Sequence, residues 1–314
     1  MLWNNRSGNG RVNLRQLRYI VDIAERNLNI SATAAALHTS QSGISKQVRL
    51  LETELGVDIF VRAGSRLSGV TAIGAKVIAT ARAALVEVGN IRAVSRENVR
   101  TESGRLTIAT SHTQARYLLP EIMKAFTRLH PKVGITLRHG DPGQIAELVQ
   151  KGQADIGVTT DAARGPRELL AIPCRQFQRV IIVPPGHALL RSRRVTLKNV
   201  CRYPLVTYEP QFTGRWQVVE AFEKQGLTPT LVISAIDADV IKTCVEQGLG
   251  IAVLSEVTFD PRRDSGLRAI PAGHLFAPST TSLLVHRKRH LHPHAYDFIE
   301  LCAPRWNKAG RQRA

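Results

Sequence analysis

Cysteine is scarce in this chain and poorly placed for joint work. Cys174, Cys201, Cys244 and Cys302 lie far apart and form no CxxC pair. That argues against a zinc site or a disulfide framework and fits a reducing compartment. Long apolar runs are also missing, since no stretch approaches the ~20 residues that span a bilayer. The opening MLWNNRSGNGRVN lacks the apolar core of a signal peptide and reads as a disordered tail. The expected location is therefore the cytoplasm. Catalytic signatures are absent as well: no GxSxG, Walker A, HExxH or GxGxxG string occurs in a suitable context. Ser111 beside His112 makes no triad, because neighbours on a helix point in different directions. The histidines gather only between His286 and His294, where an exposed basic loop is a better reading than a metal site. No enzyme, cofactor or metal is expected. Acidic residues are outnumbered 25 to 43 by lysine and arginine, and the net charge of +18 favours a polyanionic partner. Roughly +7 of it falls in the first hundred residues and roughly +11 beyond them, so charge alone does not locate a DNA-binding end.

What is present is organised around TSQSGISKQVRLLETELG, which begins at Thr39. At a period of 3.6, Ile44, Val48, Leu51 and Leu55 share one stripe, the mark of a helix packed by one face. Gln41, Ser42, Ser45, Lys46 and Arg49 face away from it. Amide, hydroxyl and cationic side chains are the types that reach base edges and phosphates. Ser40 suits the N-cap, since its hydroxyl can accept from the first-turn amides. Upstream, ISATAAAL reads as a short helix capped by Ser31. Two short helices joined at His38-Thr39 form a helix-turn-helix, whose second helix enters the DNA major groove. A surface helical hairpin without a partner is the plainer alternative.

An earlier helix packs through Leu14, Leu17, Ile20, Val21 and Ala24. VDIFVRAGSRLSGVT reads as a two-stranded wing with Arg62 and Arg66 placed for phosphates. The proline-free stretch from Ala72 to about Arg100 repeats Ile78, Ala81, Leu85 and Val88 at 3-4 spacing, which suits pairing with a second copy. A helix lying on its own domain is the competing reading. Residues 95–103 are polar and suit a linker. Beyond Gly104 strands and helices alternate. RLTIAT, VGITLRHG and ADIGVTT read as strands of a mainly parallel sheet, with helices at 114–129 and 145–151 between them. QRVIIVPP, YPLVTYE, TLVISAI, GIAVLS and TTSLLVHRK follow, with helices at 213–225, 238–247 and 292–305. Two such units in tandem suggest two lobes and a cleft.

Open α/β sheets bind ligands beyond the carboxyl ends of their strands. Three corners there are rich in hydroxyls: TSHTQAR, Thr159-Thr160 and QFTGR. Helix starts offer free amides, so these corners suit an anion. Ser111, Thr113, Gln114, Thr160 and Thr213 offer neutral donors to a fully ionised oxyanion such as sulfate. Each hydroxyl taken singly could instead cap its helix.

With these residues assembled, the chain resembles a LysR-type transcriptional regulator over nearly its whole length. The pattern SxxA…LxxSQxxxSxxxxxLExxLGxxxFxR runs through Ser31, Ala34, Leu37, Ser40, Gln41, Ser45, Leu51, Glu52, Leu55, Gly56, Phe60 and Arg62. More narrowly it is similar to the CysB/Cbl branch, which controls sulfur assimilation, through NLNIS, ATSHTQARYLLP, YPLVTY, FTGR, DADVIKT and YDFI. The resemblance implies a winged helix-turn-helix at 12–70, with the helix-turn-helix itself at about 30–49, and a dimerising linker helix at 71–100. It further implies a periplasmic-binding-protein-like α/β effector domain at 104–304, with lobes at about 104–172 plus 270–304 and at 173–269. In this branch the cleft accepts sulfate or an acetylated serine. Ser111, Thr113, Gln114, Thr160 and Thr213 match the ligand-contacting pattern, and Thr39, Ser40, Gln41, Ser42, Ser45, Lys46, Arg49, Arg62 and Arg66 fall to DNA. Ser111 stands where threonine is usual, Ser42 replaces a proline, VTAIG stands for LTPAG, and Phe177 replaces a tryptophan near the cleft. The family normally starts near Val12, so translation from there is an expectation that mass spectrometry of the native protein checks.

The expected partners are double-stranded promoter or operator DNA, a small anionic or acetylserine-type effector, a second copy in a homodimer or homotetramer, and RNA polymerase, with no membrane. One rival is a bifunctional enzyme-repressor with a catalytic α/β domain, which the missing nucleophile-base pair opposes. Another is a solute-binding protein of the transport class, which the helix-turn-helix and the lack of a signal peptide oppose.

Overall fold

Apolar side chains at helical spacing build the N-terminal unit. The structure, a computed structural model, describes residues 12–64, 66–97, 104–160 and 166–306. The expected tail, most of the linker and the basic chain end lie outside them. Contacts divide the chain into two compact units, Met1–Arg96 and Glu97–Ala314.

In the first unit, α1 (Leu14–Glu25), α2 (Ile30–Ala36) and α3 (Gln41–Leu55) precede strands β1 (Phe60–Ala63) and β2 (Arg66–Val70) and helix α4 (Ala72–Glu97). Ile20, Ile23, Ile44, Val48, Leu51 and Ile59 form the core. Leu14 and Leu55, read as stripe members, are exposed, and Tyr19 and Ile23 are buried on α1 instead. Both exposed leucines sit at helix ends, where the stripe has drifted past the core. Helix α2 is capped by Asn29, which accepts from the Ala32 N–H, and not by Ser31. The helix thus starts a residue before Ser31, whose hydroxyl turns to α3. Gly56 ends α3 in the left-handed region at φ 67°. Strand β1 pairs antiparallel with β2.

Helix α4 was expected to offer Ile78, Ala81, Leu85 and Val88 to a second copy. Instead Ile78 and Ala81 are buried in the unit's own core and Leu85 packs against it. Gly74 makes this possible, since a Cβ there would lie 2.0 Å from the Ile59 carbonyl oxygen. Only beyond Leu85 does the helix leave that core, and Ile91 is 69% exposed.

The second unit opens with β3 (Gly104–Thr110), α5 (His112–Tyr117) and α6 (Leu119–Leu129). The single helix expected here is broken at Leu118, because Pro120 lacks an N–H and fits only a first turn. Then come β4 (Val133–His139), α7 (Pro142–Gln150), β5 (Ile156–Thr160) and β6 (Leu169–Phe177). Next are β7 (Arg179–Val183), α8 (Leu197–Val200), β8 (Leu205–Tyr208), α9 (Thr213–Glu223), β9 (Leu231–Ala235), α10 (Ala238–Glu246) and β10 (Ala252–Ser255). Strands β11 (Arg268–Pro271) and β12 (Ser279–His286) and helix α11 (Pro293–Cys302) complete it.

The first lobe is a five-stranded sheet in the order β4-β3-β5-β12-β6. Strand β3 runs parallel to β4 and β5, but β12 is antiparallel to both β5 and β6. In the second lobe β7 lies antiparallel between β10 and β11, while β8 and β9 are parallel. The sheets are thus mixed, where a mainly parallel one was expected. Strands β6 and β12 lie beside the two crossings between lobes, so one carries the chain out and the other returns it. Each lobe keeps its own apolar core, led by Phe126 and Phe298 in the first and Phe222 in the second.

Polar contacts tie the lobes together beside the cleft. Tyr117 on α5 donates to Asp239 on α10 at 2.6 Å and accepts from the Lys242 ammonium at 2.9 Å. Lys242 also donates to the Thr258 carbonyl at 2.8 Å and to Asp264 at 2.9 Å. Burial pulls the ammonium down, but Tyr117 and Asp264 outweigh it and hold Lys242 above the ordinary lysine value. Removing one partner of such a buried cluster leaves the other charge uncompensated. Lys242→Met should therefore lower the stability of the effector unit by about 3 kcal/mol. Urea unfolding of the full chain reads this as a lower midpoint at unchanged slope; an unmoved midpoint would show the cluster to be energetically idle.

Candidate nucleic-acid interface and ligand cleft

Helix α3 presents the side chains expected to read DNA. Thr39, Ser40, Gln41, Ser42, Lys46 and Arg49 are exposed and Ser45 is half-buried. Ser40 caps the helix, accepting from the Gly43 N–H at 3.1 Å. The Ser31 hydroxyl donates to Gln41 Oε1 at 3.0 Å, so α2 steadies the amide at the start of α3. His38 lies in the left-handed region at φ 50°, the bend between the helices.

Arg66 is exposed at the β2 end of the wing. Arg62 is differently placed, because its Nη2 pairs with Glu52. Glu52, only 6% exposed, also accepts the backbone N–H groups of Ile59 and Phe60 at 2.9 and 3.2 Å. Arg62 is therefore a clamp between α3 and the wing, whatever it does for a phosphate. The Leu-Glu pair in the sequence pattern gave no hint that its acid would be buried.

In the second unit the three hydroxyl corners come together. Ser111, Thr113, Gln114, Thr160 and Thr213 all line one cavity of about 50 Å³. Ser111 caps α5, accepting from the Gln114 N–H at 3.4 Å. Thr160 is held from within its own lobe, whereas Thr213 and Thr113 bond across the cleft. Gln114 Nε2 donates to Thr160 Oγ1 at 3.1 Å, and Thr213 Oγ1 donates to the Thr160 carbonyl at 3.4 Å. Thr113 hydrogen-bonds Tyr208, whose pKa burial pushes up to about 12, so the phenol stays protonated at neutral pH.

Reasoning from the sequence missed four further polar residues of the cleft. Arg179, Tyr208, Ser255 and Ser279 line the same cavity, as does Thr159, read only as part of a corner. Arg179 is 3% exposed at the start of β7, and its Nη2 donates to Gln217 Oε1 at 2.7 Å. An arginine heading the apolar run RVIIV was the available signal. Gln114 Oε1, Thr159 Oγ1 and Ser255 Oγ are buried on the cleft wall without a hydrogen-bond partner. Buried polar atoms are nearly always paired, so three orphans around one cavity make it a candidate to receive polar groups. Phe177 packs against the first lobe's core and does not line the cavity.

The histidines from His286 to His294 are half-buried, not an exposed loop, and His292 stacks on His294 at 5.3 Å. Among the described residues no three His, Cys, Asp or Glu side chains are grouped to hold a metal. No helix among them is long and apolar enough to cross a membrane.

Comparison with known proteins gives matches across both units. Residues 14–75 match the bacterial regulatory helix-turn-helix protein family of the lysR type, and residues 100–307 match the LysR substrate binding domain. The HTH-type transcriptional regulator SsuR of Burkholderia cenocepacia is 43% identical over 95% of this chain and 97% of its own. The regulator CysB of the same species is 41% identical, covering 95% of each. The crystal structure of the cofactor-binding domain of the Cbl regulator superposes with a TM-score of 0.65 at 38% identity, over 67% of this chain and 92% of that one.

The head makes a two-part test. Gln41→Ala should relax base discrimination at a cost of about 1–3 kcal/mol on the preferred site. Arg62→Ala should weaken binding to all sequences alike and flatten its salt dependence. Because Glu52 loses its cation, the same change should also lower the melting temperature of the head. Titrations at several salt concentrations beside thermal unfolding separate these effects. A specificity change in Arg62→Ala but not in Gln41→Ala would reverse the assignment.

Proposed function

Because the chain belongs to the LysR family of DNA-binding transcriptional regulators, we propose that it controls sulfur assimilation, cysteine-biosynthesis or sulfonate-use genes through a small sulfur-related effector in its cleft. Sulfate and an acetylserine-type molecule are the effectors that fit this reading. The observation that carries it is the convergence of Ser111, Thr113, Gln114, Thr160 and Thr213 on one cavity of about 50 Å³. Ordinary ligand pockets run to roughly 300–1,000 Å³. A site this small, ringed by hydroxyls and helix starts, favours a compact oxyanion. The likeness to SsuR, CysB and the cofactor-binding domain of Cbl supports the same direction.

In the proposed mechanism the oxyanion accepts from hydroxyls and amides of both lobes at once. Its binding energy is then spent on the arrangement in which the lobes are closed, and only such differential affinity can shift a conformational equilibrium. The head reads promoter DNA as part of a homodimer or homotetramer. The apolar positions Val88 and Ile91, beyond the head's core, are the proposed start of the self-association seam. RNA polymerase is the proposed downstream partner, and the cytoplasm the proposed location.

Thr113→Val, Thr160→Val and Thr213→Val each keep shape and delete one hydroxyl. Each should weaken sulfate or acetylserine binding by roughly 1–3 kcal/mol, with effector-free DNA binding retained. If the hydroxyls serve only local structure, stability falls instead and affinity stays put. Calorimetric titration beside thermal unfolding decides, and unchanged affinity in all three variants empties the site. Chromatin immunoprecipitation with and without sulfate should show occupancy at sulfur genes that responds to sulfate.

A further inference from the structure

A single residue, Thr71, stands between the wing and helix α4, since β2 ends at Val70 and α4 starts at Ala72. No proline presets the first turn, Ala72-Ile73-Gly74, and glycine is a poor helix former. That turn is held from outside instead. The Thr71 hydroxyl accepts from the Gly74 N–H at 2.8 Å, as an N-cap does. Its one proton goes to the Asp58 carbonyl at 2.6 Å, with the Ile59 carbonyl farther off at 3.3 Å. The Thr71 N–H donates to that Ile59 carbonyl at 3.0 Å, closing the base of the wing. Gly74 abuts the same carbonyl and leaves no room for a side chain there. Ile59 in turn gives its N–H to Glu52 on α3 at 2.9 Å, and its own side chain is fully buried. Ile59 therefore has its donor on the reading helix and its acceptor at the start of α4. The hydroxyl of Thr71 is the only side chain in this path besides Glu52.

We propose that Thr71 is a positioning residue for half-site spacing: it fixes the angle between α3 and α4, while the side chains of α3 read the bases. This rests on the homodimer reading above, in which two heads are joined along α4 beyond Leu85. In such a pair the joint at Thr71 sets how far apart, and at what mutual angle, the two reading helices meet the duplex. Moving one half-site by a base pair shifts it about 3.4 Å along the axis and turns it by roughly 35°. Two heads follow that displacement only when something between them yields, and the hydroxyl tie to Asp58 is what keeps the joint from yielding. Base choice within each half-site does not pass through Thr71.

The test uses DNA that the protein itself selects. The wild-type full chain first enriches its preferred site from random double-stranded DNA. That site is then rebuilt with its halves one base pair nearer and one base pair farther apart. Fluorescence anisotropy titration of the three probes should show the wild type favouring the selected spacing. Thr71→Val keeps shape and loses both hydroxyl bonds. Its spacing preference should fall by roughly 2- to 10-fold, the equilibrium equivalent of one hydrogen bond. Thr71→Asp keeps an N-cap acceptor for Gly74 but has no proton for the Asp58 carbonyl, so it should lose the preference likewise. It carries the test should Thr71→Val not fold. Thr71→Ser, with the hydroxyl kept, should behave as the wild type. Single-base changes inside a half-site should weaken all four proteins by equal factors. The proposal stands only if Thr71→Asp loses the spacing preference and Thr71→Val, where it folds, loses it too. An aspartate variant with wild-type preference would leave Thr71 a helix cap and nothing more. Sedimentation of the complex keeps this apart from the dimer reading. Two chains per site with unaltered spacing preference in the variants overturns the role of Thr71 alone. One chain per site, or a selected site without two halves, overturns the dimer reading and this proposal together.

Discussion

A charge or hydroxyl removed from water is tolerated only where partners replace the water. The two units answer that constraint in opposite ways. In the head, Glu52 is buried but satisfied, with two backbone N–H groups and Arg62 around it. It pins the wing strand to α3, and the result is a fixed geometry between the two. In the effector unit, Gln114, Thr159 and Ser255 each bury a polar atom that the protein itself leaves unmatched. The same physics that makes Glu52 a structural pin leaves those atoms able to pair with a ligand's oxygens or protons. Closure of the account differs, and so does the role.

Much of this was legible before any coordinates. Ile44, Val48 and Leu51 announced the packed face of α3, and the opposite face followed from the helical period. The three hydroxyl corners were visible because they sit at strand ends next to helix starts, where any α/β sheet binds. What was hidden depends on long-range pairing. Arg179 and Ser255 are 76 positions apart and meet only because β7 and β10 pair antiparallel. The antiparallel return of β12 between β5 and β6 is equally invisible in local periodicity, which reports faces but not direction. Helix α4 misled for a related reason: its 3-4 stripe shows that a face is buried, not whose core receives it. Gly74 was the clue, since a glycine in the first turn of an Ala-rich helix often marks a close approach.

The cleft gains from being built across a crossing. Thr160 closes β5, pairs with Thr281 of the returning strand β12, and meets Thr213 from the second lobe. Arg179 begins β7 immediately after the outgoing crossing at Gln178. Of the cavity's lining, Arg179 and Ser279 thus adjoin the two strands that connect the lobes.

The contact of Tyr117 with Asp239 and Lys242 bears on time as well as on stability. Tyr117 ends the short helix that Ser111 begins, so the tie between lobes and the ligand corner share six residues of one rigid element. Were the cleft to hold an effector as proposed, opening of the lobes would require that tie to part. Opening motions of this kind run on microsecond to millisecond scales or slower. On that reading the rate of effector release would report how often the tie opens.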